Sequence, residues 1–161
     1  MITTPREVPP ALVRKATPAD LAVISDLLAA AGLPLAGLHN AAHVLVADAA
    51  GTLAGTVALE RHGSGDATAF LLRSVAVAPA WRGRGVGATL TAAALALVDD
   101  VGAPVGLLTE TAAGYFPRFG FTPVDRDQLP AALSASAELR GACPASAHAL
   151  LRPVTDATEG R

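Results

Sequence analysis

The sequence predicts an α+β fold in which a mixed, mostly antiparallel sheet carries helices on both faces. Three apolar strands follow one another with short connections, which favours an antiparallel meander. A strand–helix–strand run then extends from residue 69 to residue 109. Such a run implies a right-handed crossover between two parallel strands.

Strand and helix patterns divide the first half of the chain into one helix and four strands. Thr17, Pro18 and Asp20 form a helix start, because threonine suits the N-cap, proline the first turn and an acid the capping box. Apolar residues then recur at helical spacing until Gly32 ends the helix. The predicted strands are residues 13–16, 44–48, 53–60 and 69–77.

The second half begins with the longest helix, predicted over residues 85–101 with Gly102 as its stop. The apolar run at residues 105–109 is typical of a buried strand. A short helix, a strand, a helix opened by proline and a closing strand complete the prediction, at residues 112–119, 121–124, 130–139 and 147–151.

The composition indicates one globular domain over residues 12–153, with loose ends at 1–11 and 154–161. Of the 161 residues, 52% are hydrophobic, so a sizeable core is expected. The net charge of −2 disfavours a nucleic-acid partner, and the apolar stretch at 86–98 is too short to cross a bilayer. The N-terminus lacks the apolar run of a signal peptide. A single cysteine, Cys143, fits a reducing, cytoplasmic compartment.

A glycine-rich turn between a strand and the longest helix is the strongest functional signal. The first N–H groups of a helix have no intrahelical acceptors, and the helix dipole is positive there, so a pyrophosphate can bind. Glycine removes the Cβ atoms that would hold a phosphate away, and arginine adds charge. A purely structural turn is the alternative; a Walker loop and a dinucleotide fingerprint do not fit the pattern. The segment is Arg82-Gly83-Arg84-Gly85-Val86-Gly87.

This turn resembles the Arg/Gln-x-x-Gly-x-Gly/Ala pattern of the GNAT acyltransferase superfamily, with Arg82, Gly85 and Gly87 in the three slots. Residues 115–121, which end in Gly-Phe, are similar to a later motif of that superfamily, and the resemblance covers residues 13–152. Three further segments look like the branch linked to arsenic resistance, which is similar to amino-acid N-acetyltransferases: residues 71–77, 107–112 and 143–147.

The resemblance implies an N-acetyltransferase that moves the acetyl group of acetyl-CoA directly to the amine of a small amino acid or an analogue, arsenical ones included. It implies that the two parallel strands splay, so that the pantetheine arm pairs with one strand edge and an N–H there stabilises the oxyanion. A homodimer is a further expectation. The implied cofactor contacts are Val75, Ala76, Val77, Arg82, Gly83, Arg84, Gly85, Val86, Gly87 and Phe116.

Two alternative functions stay open. One is acetylation of a protein N-terminus or lysine, for which an open acidic groove is expected. The other is a non-catalytic acyl-CoA sensor. The sensor stays open because many GNAT enzymes carry a tyrosine where this chain has Phe116. The adjacent Tyr115 either replaces that tyrosine as the catalytic acid or is a packed ring, in which case water protonates the thiolate.

Glu60 and Arg73 are charged residues in otherwise apolar strands, where a charge is costly unless it is paired or solvated. The two strands are neighbours, so the side chains are expected to meet. Either they form a structural ion pair, or Arg73 binds the carboxylate of the acceptor while Glu60 holds or deprotonates its ammonium.

Thr109 and Thr111 alternate at the end of a strand, so both hydroxyls are expected on the side of the opening. They are candidates for substrate binding, although Thr111 equally suits a helix cap. Cys143 is expected to be a buried apolar thiol without a catalytic role. The histidines show no metal-ligand spacing, so no metal site is predicted.

Overall fold

The computed structural model describes residues 10–154. The predicted loose ends at 1–11 and 154–161 lie outside these residues, apart from residues 10, 11 and 154. The two α-helices are α1 (Leu21–Ala30) and α2 (Val86–Val101). The strands are β1 (Leu12–Lys15), β2 (His43–Ala49), β3 (Thr52–His62), β4 (Ala69–Val77), β5 (Val105–Thr109), β6 (Thr122–Val124) and β7 (His148–Arg152).

The seven strands form one sheet in the order β1-β2-β3-β4-β5-β7-β6. Strands β1 to β4 are an antiparallel meander, and β7 pairs antiparallel with both β5 and β6. Only β4 and β5 are parallel, because α2 crosses over between them. The predicted mixed, mostly antiparallel sheet is confirmed.

Helices cover both faces of the sheet, as predicted. Helix α2 packs on one face with strand residues that include Val57 and Leu59. Helix α1 packs on the opposite face against Val46 and Ala58. The residues that anchor the two helices are fully buried: Leu90 and Val98 of α2, and Ile24 and Leu28 of α1.

Strands β4 and β5 pair at only two positions, Phe70 with Val105 and Leu71 with Gly106. Beyond Leu71 they splay apart, as the prediction required. On the side of β3, Thr56 faces Ala76 while Ala58 faces Arg73, so β4 carries one extra residue in a β-bulge. Splay and bulge lie side by side and open the middle of the sheet.

The predicted helix at 130–139 is wrong. A 3-10 turn over Ala131–Ala135 is followed by Ser136 in extended conformation (φ −68°, ψ 139°) and by a separate turn over Glu138–Ala142. The hydroxyl of Ser136 accepts a hydrogen bond from the N–H of Glu138 at 3.2 Å, and such a side-chain bond competes with the helical ladder.

The predicted helix at 112–119 is shorter in the structure, a 3-10 turn over Phe116–Phe119. Gly120 ends it with a positive φ of 94°, as expected. Because Pro117 lacks a backbone N–H, it cannot join a longer helical ladder.

Candidate functional site

A cavity of about 830 Å³ opens where β4 and β5 splay and continues to the N-terminus of α2. Its walls come from both parallel strands, the glycine-rich turn, the start of α2 and the end of α1. The lining side chains that carry polar or charged groups are Arg73, Ser74, Trp81, Arg82, Thr109, Thr111, Tyr115 and Arg118.

The N-terminus of α2 offers free backbone donors to this cavity. The first intrahelical bond runs from the N–H of Thr89 to the carbonyl of Gly85, so the N–H groups of Val86, Gly87 and Ala88 have no helical acceptor. Gly85 has a φ of 79°, and a Cβ atom built there meets nothing within 4 Å. The space in front of the helix is therefore open, and the residues fit a pyrophosphate.

The two arginines of the turn lie in different places. Arg82 lines the main cavity, where its charge adds to that of the helix N-terminus. Arg84 lies over the ring of Trp81, 5.3 Å from the ring centroid, and lines a smaller neighbouring cavity of about 300 Å³. Of the pair, only Arg82 lines the main cavity.

The edge of β4 contributes Val75 and Val77, which line the cavity as half-buried side chains. Ala76 is buried on the opposite face with the residues that pack on α1. Its side chain therefore does not reach the cavity, and any contact with a ligand there is made by its backbone.

Arg73 is fully buried and joins several elements. Its Nη1 donates to Oε2 of Glu60 at 2.7 Å and to the carbonyl of Ala36 at 2.8 Å. Its Nη2 donates to the carbonyl of Pro34 at 2.9 Å, and its Nε lies 3.2 Å from Oε2 of Glu138. The expectation that Glu60 and Arg73 meet is correct, and their geometry is that of a buried ion pair.

The two glutamates around Arg73 differ in pKa. Burial alone raises the pKa of Glu60, but hydrogen bonds from Arg73 and His62 outweigh burial and hold the pKa below its ordinary value. Burial raises the pKa of Glu138, and the charge of Arg73 offsets that rise only in part. Burial and the neighbouring Glu138 raise the pKa of the Cys143 thiol to about 12, which disfavours the thiolate, and the thiol is buried, as expected.

Glu60 is not among the residues that line the cavity. Its Oε2 is held by Arg73, and its Oε1 lies 2.7 Å from Nε2 of His62. The carboxylate thus lies behind Arg73 as seen from the cavity wall, and its predicted contact with an acceptor amine stays a prediction.

Tyr115 and Phe116 both line the cavity, but they are held differently. Phe116 is buried and packs edge-on against Phe121, with ring centroids 5.9 Å apart. The half-buried Tyr115 lies under the guanidinium of Arg118, 4.3 Å from its ring centroid. The Tyr115 hydroxyl is 3.5 Å from the position a Cβ would occupy on Gly87, so it faces the first turn of α2.

Thr109 and Thr111 line the cavity while the intervening Glu110 does not, as their alternation predicted. The capping role that the sequence analysis offered for Thr111 is taken by Thr109. The Oγ1 of Thr109 accepts a hydrogen bond from the N–H of Ala112 at 3.0 Å. Thr111 is exposed, whereas Thr109 is half-buried.

Three hydroxyl-bearing or charged residues at the site were missed by the sequence prediction. Ser74 lines the cavity at the bulge, and its signal was a polar residue directly after Arg73 in an apolar strand. Arg118 also lines the cavity, and its signal was a charge beside Tyr115. Glu138 carried no signal, because its burial depends on the misjudged segment 130–139.

Within residues 10–154, no group of three or more His, Cys, Asp and Glu side chains is placed to hold a metal ion. No helix in that part of the chain is both long enough and apolar enough to span a membrane.

Comparison with known proteins identifies one family. Residues 40–123, just over half of the chain, match the model of the acetyltransferase (GNAT) domain. A comparison with curated protein sequences finds no match.

Several solved structures share the fold. N-acetylglutamate synthase from Neisseria gonorrhoeae, complexed with coenzyme A and N-acetyl-glutamate, superposes with a TM-score of 0.75 at 22% identity over 91% of this chain. The chain spans only 35% of the length of that protein. Rv2747 from Mycobacterium tuberculosis, in complex with CoA and NLQ, gives 0.71 at 24% identity, covering 89% of this chain and 99% of the other. A GNAT family acetyltransferase from Brucella melitensis with acetyl-CoA gives 0.52 at 27% identity, covering 70% and 82%.

Proposed function

Because the chain belongs to the GNAT acetyltransferase family, we propose that it transfers the acetyl group of acetyl-CoA to the amine of a small amino acid or an analogue of one. One observation carries this proposal: a single cavity joins the open N-terminus of α2 to the gap between β4 and β5. One end suits a diphosphate, and the other suits a thioester beside an unpaired strand edge.

The two ends of the cosubstrate are held by different residues. The diphosphate is held by the N–H groups of residues 86–88 and by the charge of Arg82. The pantetheine arm of acetyl-CoA runs along Val75 and Val77, where β4 has no β5 partner. Phe116 supplies apolar surface. Solved structures of the same fold contain CoA or acetyl-CoA, which supports this placement.

Direct transfer needs few protein groups. The neutral amine attacks the thioester carbon, a C–N bond forms, the C–S bond breaks, and the sulfur leaves with the electron pair. Among the described residues that line the cavity, none is Asp, Glu, His or Lys, so the proposed removal of the amine proton by Glu60 runs through water. We assign the protonation of the departing thiolate to Tyr115, whose hydroxyl faces the first turn of α2.

The charge of the cavity favours an acceptor that carries a carboxylate. Arg82 and Arg118 line it together with Arg73, whose charge is balanced by the buried Glu60 and Glu138, and no acidic residue is among the described lining residues. An acidic groove for a protein lysine or N-terminus is therefore not supported. The Neisseria protein is complexed with N-acetyl-glutamate, which is in keeping with this class of acceptor. Amino-acid analogues that contain arsenic belong to the same proposal.

Arg73, Thr109 and Thr111 are the residues proposed to contact the acceptor. The hydrogen bonds found among residues 10–154 leave one N–H of the Arg73 Nη2 without an acceptor. We propose that this N–H of Arg73 donates to the acceptor carboxylate, with Thr109 and Thr111 beside it. Glu60 also holds Arg73 in place.

Release of free CoA from acetyl-CoA in the presence of an amine panel tests the function. A thiol-reactive dye reads CoA, and its background is low because Cys143 is buried. We expect turnover with free amino acids and at least about tenfold weaker turnover with the matched amides, since alanine and alaninamide differ only in the carboxylate. Turnover of peptides alone would point to a protein substrate. Binding of acetyl-CoA without any turnover would point to the sensor.

We also propose that the chain forms a homodimer. The molar mass of the purified chain, measured by light scattering, tests this.

A further inference from the structure

Ser74 has an unusual backbone conformation for its place in the fold. Its φ is +60°, and the only other non-glycine residue with positive φ within residues 10–154 is Ala50, at 51°. Ala50 lies in the turn between β2 and β3, where such angles are common. Ser74 instead lies buried inside β4. Strain of this kind persists where the surroundings impose it, and it concentrates at active sites.

The β-bulge explains what imposes the conformation. Between the pairs Thr56–Ala76 and Ala58–Arg73, one residue of β3 faces two residues of β4, Ser74 and Val75. A bulge leaves its extra residue outside the ladder. The other edge of β4 has lost β5 after Leu71, so the bulge faces the cavity directly.

A hydrogen bond from Arg73 orients the hydroxyl of Ser74. Nε of the fully buried Arg73 donates a hydrogen bond to its Oγ at 3.1 Å and shares this N–H with Oε2 of Glu138 at 3.2 Å. That bond occupies a lone pair, so the hydroxyl hydrogen is left to point elsewhere. Within residues 10–154, no acceptor of a hydrogen bond from this hydroxyl is found, although Ser74 is only 6% exposed.

The surroundings make this hydroxyl a strong donor. A hydrogen bond received from a charged guanidinium polarises the O–H group, and the low dielectric of a buried site strengthens that effect. Ser74 lines the cavity next to Val75, where the proposed function places the thioester. A polarised donor at that point is suited to an oxygen that gains negative charge.

We propose that the hydroxyl of Ser74 donates a hydrogen bond to the carbonyl oxygen of the acetyl thioester and stabilises the oxyanion that forms there. This role rests on the proposed function. When the amine attacks, the C–N bond forms and the carbonyl electron pair moves to oxygen, which the hydroxyl and a backbone N–H of residues 75–77 then hold. When the pair returns, the C–S bond breaks. Ser74 keeps its proton throughout.

Two substitutions separate the hydroxyl from the backbone strain. Ser74→Gly removes the hydroxyl and accepts φ +60° without strain, whereas Ser74→Ala removes the hydroxyl and keeps the strain. Ala50→Gly relieves the same kind of strain at a residue that does not line the cavity and is the matched control. We expect both Ser74 variants to lose kcat by about 100-fold, since one oxyanion donor contributes 10²–10³. Their Kd for acetyl-CoA and KM for the acceptor are expected to stay within about twofold of wild type.

Other kinetic outcomes would overturn the role. A Ser74→Gly enzyme as fast as wild type beside a slow Ser74→Ala enzyme would mean that only the backbone matters. A rise in acceptor KM at constant kcat would assign the hydroxyl to the acceptor instead of the thioester. An equal loss in Ala50→Gly would show a general effect of positive-φ positions.

Infrared spectroscopy gives a readout that needs no turnover. With acetyl-CoA labelled with ¹³C at the carbonyl, we expect the bound carbonyl stretch of wild type to lie below that of Ser74→Gly, because a donated hydrogen bond weakens the C=O bond. Identical frequencies would overturn the role of Ser74. If wild type turns over amines while the frequencies coincide, only this inference fails. If wild type binds acetyl-CoA and turns over no amine, the proposed function fails, and the oxyanion role fails with it.

Discussion

Nη1 of Arg73 lies 2.7 Å from Oε2 of Glu60, and neither side chain is more than 5% exposed. The pair ties β3 to β4 at the bulge, and the same guanidinium holds the carbonyls of Pro34 and Ala36 in the loop after α1. Leu33 of that loop lines the cavity. One buried cation therefore joins the strand that is proposed to hold the thioester to the loop that walls the acceptor end.

Arg73→Ala is expected to lower the free energy of unfolding by about 3–5 kcal/mol, because Glu60 and Glu138 then remain buried without their counter-charge. Urea unfolding followed by circular dichroism measures this. Asp99→Ala is the control, since its pair with Arg152 is partly exposed and is worth about 1 kcal/mol or less. Equal losses in the two variants would contradict the importance of the buried network.

Glu138→Gln is expected to become more stable relative to wild type as the pH rises above 4.5, the ordinary pKa of the group. Burial raises the pKa of Glu138 in the folded state, so above pH 4.5 the unfolded chain releases this proton first and wild type loses stability. The difference should level off above the folded-state pKa. Unfolding curves from pH 4 to 8 provide the measurement.

Glu60→Gln is expected to show a pH dependence of stability that differs from that of Glu138→Gln, because the two folded-state pKa values shift in opposite directions. The folded-state pKa of Glu60 lies below its ordinary 4.5, so its contribution to stability is present above 4.5 and is lost as the pH falls through the folded-state pKa. The stability difference from wild type should therefore change below pH 4.5 and not above it. Parallel curves for the two glutamine variants would refute the assigned pKa directions.

Gly85→Val is expected to weaken CoA binding by at least about 100-fold, or about 2.8 kcal/mol, because a branched side chain would fill the space in front of α2. Titration calorimetry with CoA measures the loss. Gly102→Val is a close control: it lies at the other end of α2 with a φ of 77°, against 79° for Gly85, and open space around its Cβ. If both variants bind CoA equally, the turn does not hold the phosphates.

Tyr115→Phe is expected to lower kcat by about 100-fold while leaving the Kd for acetyl-CoA unchanged, since general acid catalysis contributes 10²–10⁴. The ring stays packed against Phe116 and Phe119, so the fold should be preserved. Steady-state kinetics and calorimetry separate the two effects. Recovery of kcat in the double variant Tyr115→Phe/Phe116→Tyr would place the functional hydroxyl at position 116 instead.

Local sequence patterns were sufficient to predict most of the strands and helices. The apolar run from Ala69 to Val77 predicted β4 without error, and Gly102 marked the end of α2. These features depend on neighbours in the chain, namely side-chain periodicity and the low cost of positive φ at glycine. The helix predicted over residues 130–139 is absent because the N–H of Glu138 donates to the hydroxyl of Ser136, a side-chain bond that periodicity does not reveal.

The sequence by itself determined the family, the turn in front of α2 and the expectation that Glu60 meets Arg73. Only the tertiary structure decided that Arg73 is fully buried between two carboxylates, that Ala76 and Glu60 do not face the cavity, and that Ser74 does. The reason is physical. A bulge changes which side of a strand a residue faces, and burial decides whether a charge binds a ligand or a neighbouring side chain. Both depend on contacts between residues far apart in the chain.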